Sequence, residues 1–346
     1  MGWNGEYRAN DGGTAAPAAT PLGLAGPFDR ADWFDRLEAL HWAGVPRADA
    51  HGIAGGAEAW LPLVEPRRGH RVSLANWYSF VHRPLFSGSR DLAAQRLALT
   101  DLFGRVRREA AQITLYPVPD ADGSAAMVCA ALRDAGWRVH RQAAGDSHWL
   151  DMDGLDHDKW WQSRPGELRS TVVRKSRNCG VTVTIADRFD PETWQAFEHV
   201  YAASWKPEEG DARLLHDMAR AEGATGRLRL GLALIDGRNV AAQFWTVENR
   251  CAYIHKLAHV EDTARASPGT LLMAAMFRQV ITIDKVRRVD FGTGNDRYKR
   301  DWMNRHNRLW RIEAYNPSRL SAWLPALRQA LADWRDNRKD CINGSN

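Results

Sequence analysis

Four side chains between residues 255 and 299 have the chemistry needed to move a proton or to stabilise a developing negative charge. His255 has the native pKa best suited to taking a proton from an ammonium group, and a structural histidine is the alternative. Asp290 fits either a base or amine-binding carboxylate or a loop anchor, and Lys299 fits either a phosphate or carbonyl contact or a surface lysine. Strand alternation places His255 and Lys256 on opposite faces, and Lys256 is expected to pair with Asp290. The catalytic candidates are therefore His255, Asp290 and Lys299.

A helix start lies between these residues in the chain. Ser267 suits the N-cap and Pro268 the first helical position, where its missing N–H does no harm. Gly269 lets the backbone approach closely, and the amides of Gly269, Thr270 and Leu271 are expected to point at a pyrophosphate. An ordinary capped helix is the alternative interpretation.

Strand-like runs surround this helix start. Runs at 228–235, 240–247 and 252–258 form an antiparallel meander, with an Asp236-Gly237 turn between the first two. An apolar helix of about four turns then ends near Ile283, and a buried-looking strand follows at 286–291. A helix N-terminus beside strand ends leaves N–H groups free for a phosphate. The pattern therefore predicts an enzyme that holds a phosphorylated donor.

The order and wording of these motifs resemble the GNAT acyltransferase superfamily, in particular its CelD-type branch from cellulose and envelope-polysaccharide gene clusters. The resemblance is carried by the motifs Arg174-Lys175-Ser176-Arg177, Ser204-Trp205-Lys206, Ile254-His255-Lys256-Leu257-Ala258, Ser267-Pro268-Gly269-Thr270-Leu271-Leu272, Asp290-Phe291-Gly292 and Tyr298-Lys299-Arg300-Asp301-Trp302. It departs in one place, because the family's pyrophosphate loop is richer in glycine and this chain has only Gly269 there.

The resemblance implies an acyl-CoA co-substrate and direct transfer without a covalent enzyme intermediate. Positioning alone can supply several kcal/mol of the barrier to such a transfer. The donor is then held by Ser267, Gly269, Thr270 and Leu271. The residues expected to line the substrate side are Trp205, Lys206, Lys256, Tyr298 and Trp302.

The predicted fold class is α/β (α+β), with two GNAT-like lobes in tandem, each a mixed, mostly antiparallel sheet flanked by helices. The chain divides into a flexible tail (1–26), an N-terminal lobe (27–155), a basic helical connector (156–179), a C-terminal acyltransferase lobe (180–318), and an amphipathic helix and tail (319–346). The element order of the first lobe repeats that of the second without a sequence repeat. Fem-type aminoacyltransferases have the same tandem arrangement, by analogy.

Composition limits the partners. A net charge of +5 and a pI near 9.1 favour anionic partners such as coenzyme phosphates, an acidic membrane surface or RNA. The four cysteines and twelve histidines show no metal-ligand spacing, so no metal is expected, and the cysteine pattern fits a reducing cytosol. Without a signal peptide or spanning segment, we expect a cytoplasmic protein with peripheral contact to anionic membrane as an option.

Three functions fit these observations. The leading hypothesis is an acyl-CoA-dependent N-acyltransferase, acting on a primary amine of an envelope component such as an amino sugar or a long-chain amino lipid. The second is an aminoacyl-tRNA-dependent transferase of the Fem kind, the only reading in which a nucleic acid is a partner. The third is a non-catalytic accessory protein of polysaccharide biosynthesis.

Overall fold

The computed structural model describes residues 25–178, 180–323 and Leu327. Its first half contains α1 (Ala31–Leu40), β1 (Ala50–Ala54), β2 (Ala57–Leu61), β3 (Leu63–Arg67), β4 (His70–Ser73), β5 (Leu85–Gly88), α2 (Leu92–Glu109), β6 (Gln112–Pro119), α3 (Ser124–Asp134) and β7 (Arg138–Asp151). Two helices, α4 (His157–Gln162) and α5 (Gly166–Asn178), form the connector. The second half contains β8 (Val181–Ala186), α6 (Pro191–Ala202), α7 (Ala212–Ala224), β9 (Leu228–Ile235), β10 (Arg238–Glu248), β11 (Cys251–His259), α8 (Pro268–Arg278), β12 (Arg288–Thr293), α9 (Arg297–Trp302) and β13 (Arg305–Tyr315).

One ten-stranded sheet runs through both lobes, in the order β3-β4-β6-β13-β7-β12-β11-β10-β9-β8. The fold class is confirmed, and the sheets of the two lobes join into one. The strand β13, the last strand of the second lobe, lies between β6 and β7 of the first and pairs with β7 over eleven residue pairs. Hydrogen bonding is therefore continuous across the lobe boundary.

Each lobe contains a parallel strand pair joined by a helical crossover. In the first lobe β4 pairs with β6 at 70–72 and 112–114, and α2 connects them. In the second, β11 pairs with β12 at 251–253 and 288–290, and α8 connects them. The repeated element order of the sequence thus corresponds to a repeated structure.

Apolar side chains cover both faces of the sheet. Phe277 of α8 stacks on Trp302 with ring centroids 5.1 Å apart and on Trp160 of the connector with ring centroids 4.8 Å apart. Phe28, Phe80 and Phe244 belong to a second cluster that joins the lobes on the opposite face. Trp160 and Trp302 are both buried in the first of these clusters.

Two sequence predictions fall largely on residues that are not described. The flexible tail at 1–26 and the amphipathic helix at 319–338 lie mostly outside the described residues. Among the helices of the described ranges, none combines the length and apolar character needed to cross a bilayer.

Candidate active site

The strands β11 and β12 part after residues Tyr253 and Asp290, where their three-residue pairing ends. We call the space between residues 254–259 and 291–293 the strand cleft. Residues 251–254 of β11 are buried, whereas Lys256, Leu257 and His259 keep partial solvent exposure although β11 lies in the middle of the sheet. Exposure thus begins where β12 departs, and the unpaired edge of β11 is available to a ligand.

The equivalent space in the first lobe is filled. His82 is buried beyond the end of β4, where its Nδ1 lies 2.9 Å from Ser73 Oγ and its backbone amide donates to Pro117 O at 2.6 Å. The same Ser73 hydroxyl accepts from the backbone amide of Tyr116 at 3.0 Å. The strand cleft of the second lobe is therefore the better candidate for binding a ligand.

The helix α8 begins at the open end of the strand cleft. Ser267 occupies the N-cap position as predicted, but in a left-handed conformation (φ 54°) and without a side-chain capping bond. The amides of Thr270 and Leu271 both donate to Ser267 O at 3.1 Å, so the prediction that three amides are free to point at a pyrophosphate is wrong for these two.

The Gly269 amide has no backbone acceptor among the described residues. A Cβ on Gly269 would lie 3.3 Å from His259 Nδ1, so glycine allows the helix start to approach β11 closely.

A β-bulge in β11 changes which face its side chains occupy. Lys256 lies opposite Phe244 of β10 and Ile254 lies opposite Trp245, so His255 is the extra residue. The expectation that His255 and Lys256 lie on opposite faces is therefore wrong, because both side chains turn toward the first lobe. Their partners there show it: His255 packs against Phe28 and Phe80, and Lys256 against Tyr78.

His255 is held as a neutral imidazole. Its Nε2 lies 2.8 Å from Thr246 Oγ1, and its ring packs on Phe244 with centroids 5.0 Å apart. Burial among these aromatic rings lowers the pKa of His255 to about 3. A group with this pKa is a weak proton acceptor near neutral pH, which disfavours His255 as the base.

Lys256 pairs with a carboxylate that the sequence did not single out. Its Nζ lies 2.6 Å from Glu209 Oε2, and the other Glu209 oxygen accepts a hydrogen bond from the Tyr78 hydroxyl. The predicted pair of Lys256 with Asp290 is wrong. Glu209 lies in the loop 203–211 between α6 and α7, which we call the inter-lobe loop because Gly210 also approaches Trp77 of the first lobe. No local motif marks Tyr78 or Glu209, so only the fold reveals this contact.

Asp290 makes the contacts of a loop anchor. Its Oδ1 accepts from the Gly292 amide at 2.9 Å, and its Oδ2 lies 3.4 Å from a guanidinium nitrogen of Arg288. These bonds fix the turn at the end of β12, which is the second of the two roles considered for this residue.

Lys299 reaches back from α9 to the end of β12. Its side chain is 5% exposed, and its Nζ donates to Thr293 O and lies 3.7 Å from Asp296. Burial is the main cause that lowers the pKa of Lys299. A buried ammonium at the mouth of the strand cleft can stabilise a developing negative charge.

The remaining predicted site residues differ in how far they are exposed. Trp205 and Tyr298 keep exposed ring surface. The ring centroids of Trp205 and His259 are 4.3 Å apart, and the ring of Tyr298 lies edge-on to that of Phe291. Lys206 is half-buried beside Trp205. Trp302 is 4% exposed within the core cluster around Phe277, so its predicted place on the substrate side is wrong.

This architecture, with two parallel-pair units and one open strand cleft, is that of a tandem GNAT-type fold. Residues 166–300 match the family model described as an acetyltransferase (GNAT) domain, and this match supports an acyltransferase. No curated protein sequence matches the chain.

Three solved structures are similar in fold. FemX shares 12% identity, with 81% of this chain and 90% of that chain covered and a TM-score of 0.57. The structure of L-PGS from Bacillus licheniformis shares 12% identity, with 84% and 93% covered and a TM-score of 0.52. The C-terminal domain of a protein described as a lysylphosphatidylglycerol synthetase from Agrobacterium fabrum shares 12% identity, with 87% and 96% covered and a TM-score of 0.51. At this identity the likeness concerns the fold.

Proposed function

We propose that the chain is an N-acyltransferase that moves an acyl group from acyl-CoA to a primary amine of an envelope component, and that it belongs to the CelD-type branch. The observation that carries the proposal is the parting of β11 and β12 beside the start of α8. Coenzyme A has an arm with two amides, and the exposed edge of β11 offers N–H and C=O groups to such an arm. The Gly269 amide and the dipole of α8 then favour the donor's pyrophosphate.

The chemical step needs no protein nucleophile. The amine attacks the thioester carbonyl, the carbonyl oxygen takes up negative charge, and the C–S bond breaks to release coenzyme A as its thiol. In this proposal Lys299 lies near that oxygen and stabilises the charge. In this proposal Glu209, which lies beside Lys256 of β11 and Tyr78 of the first lobe, accepts the ammonium proton.

Calorimetric titration with acetyl-CoA and longer acyl-CoA thioesters tests donor binding directly. Incubation with acyl-CoA and a lipid-and-sugar extract, followed by mass spectrometry, then tests for a new amide. We expect Lys299→Met to bind the donor but form the amide at least about tenfold more slowly, the usual scale for losing a charge-stabilising group. Absence of binding with every chain length would contradict the proposal.

A second candidate function keeps the fold and changes the donor to an aminoacyl-tRNA. The exposed side chains of Arg174 and Arg177 on α5 favour it, because α5 packs beside α8 and brings basic charge near the donor end. The similar folds named FemX and lysylphosphatidylglycerol synthetase agree with this option. RNA binding that weakens steeply with salt, together with no heat from acyl-CoA, would favour it over the first.

A further inference from the structure

Three lysines from three different elements meet at the mouth of the strand cleft. Lys206 comes from the inter-lobe loop, Lys256 from β11 and Lys299 from α9. Burial is the main cause that lowers the pKa of Lys206, the charge of Lys256 lowers it further, and the carboxylate of Asp296 acts in the opposite direction. The charge of Lys206 in turn lowers the pKa of Lys299. The site therefore holds three ammonium groups against two carboxylates, Glu209 and Asp296.

Two of the three ammonium groups are already bonded within the protein. Lys256 pairs with Glu209 and lies 4.6 Å from the Tyr78 ring centre, and Lys299 bonds to Thr293 O near Asp296. Lys206 differs. Among the described residues no carboxylate lies within the 4.0 Å of an ion pair with its Nζ, and its near contact is the Trp205 ring at 5.6 Å.

Lys206 is thus the half-buried ammonium of the three that makes no ion pair among the described residues, and an anion bound to it would stabilise its charged form. Several lysines around one point suit a polyanionic group, since each contributes a charge with freely oriented donors. We infer that Lys206 forms a subsite for a phosphate-type anion of the substrate, with Lys256 and Lys299 adding their field. This inference rests on the proposed function, because it assigns a chemical class to the substrate of the same cleft.

The position of the inter-lobe loop favours the acceptor as the source of this anion. Ser204 pairs with Val260, and Gly210 approaches Trp77, so the loop lies over the side of β11 that faces the first lobe. The rings of Trp77, which lies against this loop, and of Trp205, which lies within it, are 55% and 49% exposed and can pack against a sugar or acyl chain. The acceptor is then a phosphorylated amine, although the phosphates of the donor have the same chemistry.

Calorimetry with inorganic pyrophosphate on the full chain tests the subsite. We expect wild type to bind and Lys206→Met to bind about tenfold or more weakly, as for the loss of a bond to a charged group. Lys206→Arg keeps the charge and should bind as wild type does. The matched control is Lys159→Met, since Lys159 is an exposed lysine of α4. Equal affinity of Lys206→Met and wild type, or no pyrophosphate binding by wild type, would overturn the inference.

Two further titrations distinguish the source of the anion. If Lys206→Met binds acetyl-CoA as wild type does while losing pyrophosphate, the anion belongs to the acceptor. If it loses affinity for acetyl-CoA but not for S-acetylpantetheine, which lacks the nucleotide phosphates, the anion belongs to the donor. If wild type binds no acyl-CoA, the proposed acyl-CoA donor is wrong, whereas the pyrophosphate titrations still test the anion subsite.

Discussion

At the scale of single residues, the strand cleft is bordered by ion pairs and by two buried titratable groups. Glu209 pairs with Lys256, and Asp290 contacts Arg288 and the Gly292 amide. His255 and Lys299, in contrast, lie where burial disfavours their charged forms. The chemistry available near neutral pH is therefore a neutral imidazole on β11 and a destabilised ammonium on α9.

The burial of His255 makes the free energy of unfolding depend on pH. Its folded pKa of about 3 lies below the unfolded value of 6.5, so the unfolded chain binds the proton first as the pH falls. The stabilisation that comes from keeping His255 neutral is complete above about pH 6.5 and is lost progressively toward pH 3. At pH 5 the loss is about 2 kcal/mol. Between pH 7.5 and pH 5, the free energy of unfolding of His255→Gln, measured by urea denaturation, should therefore fall by about 2 kcal/mol less than that of wild type. An unchanged pH dependence would show that His255 is solvated.

At the scale of elements, the end of β12 lies directly against the first lobe. Gly292 has a φ of +65°, and a Cβ there would lie 2.6 Å from the Phe80 ring of the first lobe. The loop anchored by Asp290 therefore needs glycine for two reasons, its backbone conformation and the contact with Phe80.

Gly292→Ala separates these two reasons when it is compared with Gly237→Ala. Gly237 also has a positive φ (+80°), but no atom lies within 4 Å of its added Cβ. Both substitutions carry the conformational cost, about 1 kcal/mol, and only Gly292→Ala adds the overpacking cost of about 1–3 kcal/mol. We expect chemical denaturation to show this difference, and Phe80→Leu to reduce it. Equal losses for the two glycines would mean that Phe80 moves aside freely.

The sequence predicted these elements better than the contacts between them. The meander at β9, β10 and β11 and the helix at Pro268 are encoded by local apolar periodicity and by turn and start signals, so they were predictable. The bulge at His255 was not predictable, because one extra residue cannot be recognised from the alternation of side-chain types in a short strand. The Glu209–Lys256 pair joins residues 47 positions apart and depends on how the inter-lobe loop folds over β11.

At the scale of the whole molecule, the lobes are joined by both backbone and side chains. The strand β12 pairs with β7, and β13 lies between β6 and β7. Buried charges add to this: Arg30 binds Glu222 and lies 3.0 Å from Glu248, which links the start of α1 to the second lobe. The tandem element order was predictable, but the shared sheet was not, because strand order depends on pairing between distant segments.

The continuous sheet predicts one cooperative unfolding transition for the full chain. A fragment of residues 156–346 would leave β13 without both neighbours and β12 without β7, so its unpaired strand edges should prevent a stable fold. We expect coincident near- and far-ultraviolet circular dichroism transitions for the full chain, and no near-ultraviolet signal from the fragment. The acyltransferase lobe would then be inseparable from the first lobe, which supplies Tyr78 to Glu209 as well as the strands. Two separate transitions, or a folded fragment, would show that each lobe is stable alone.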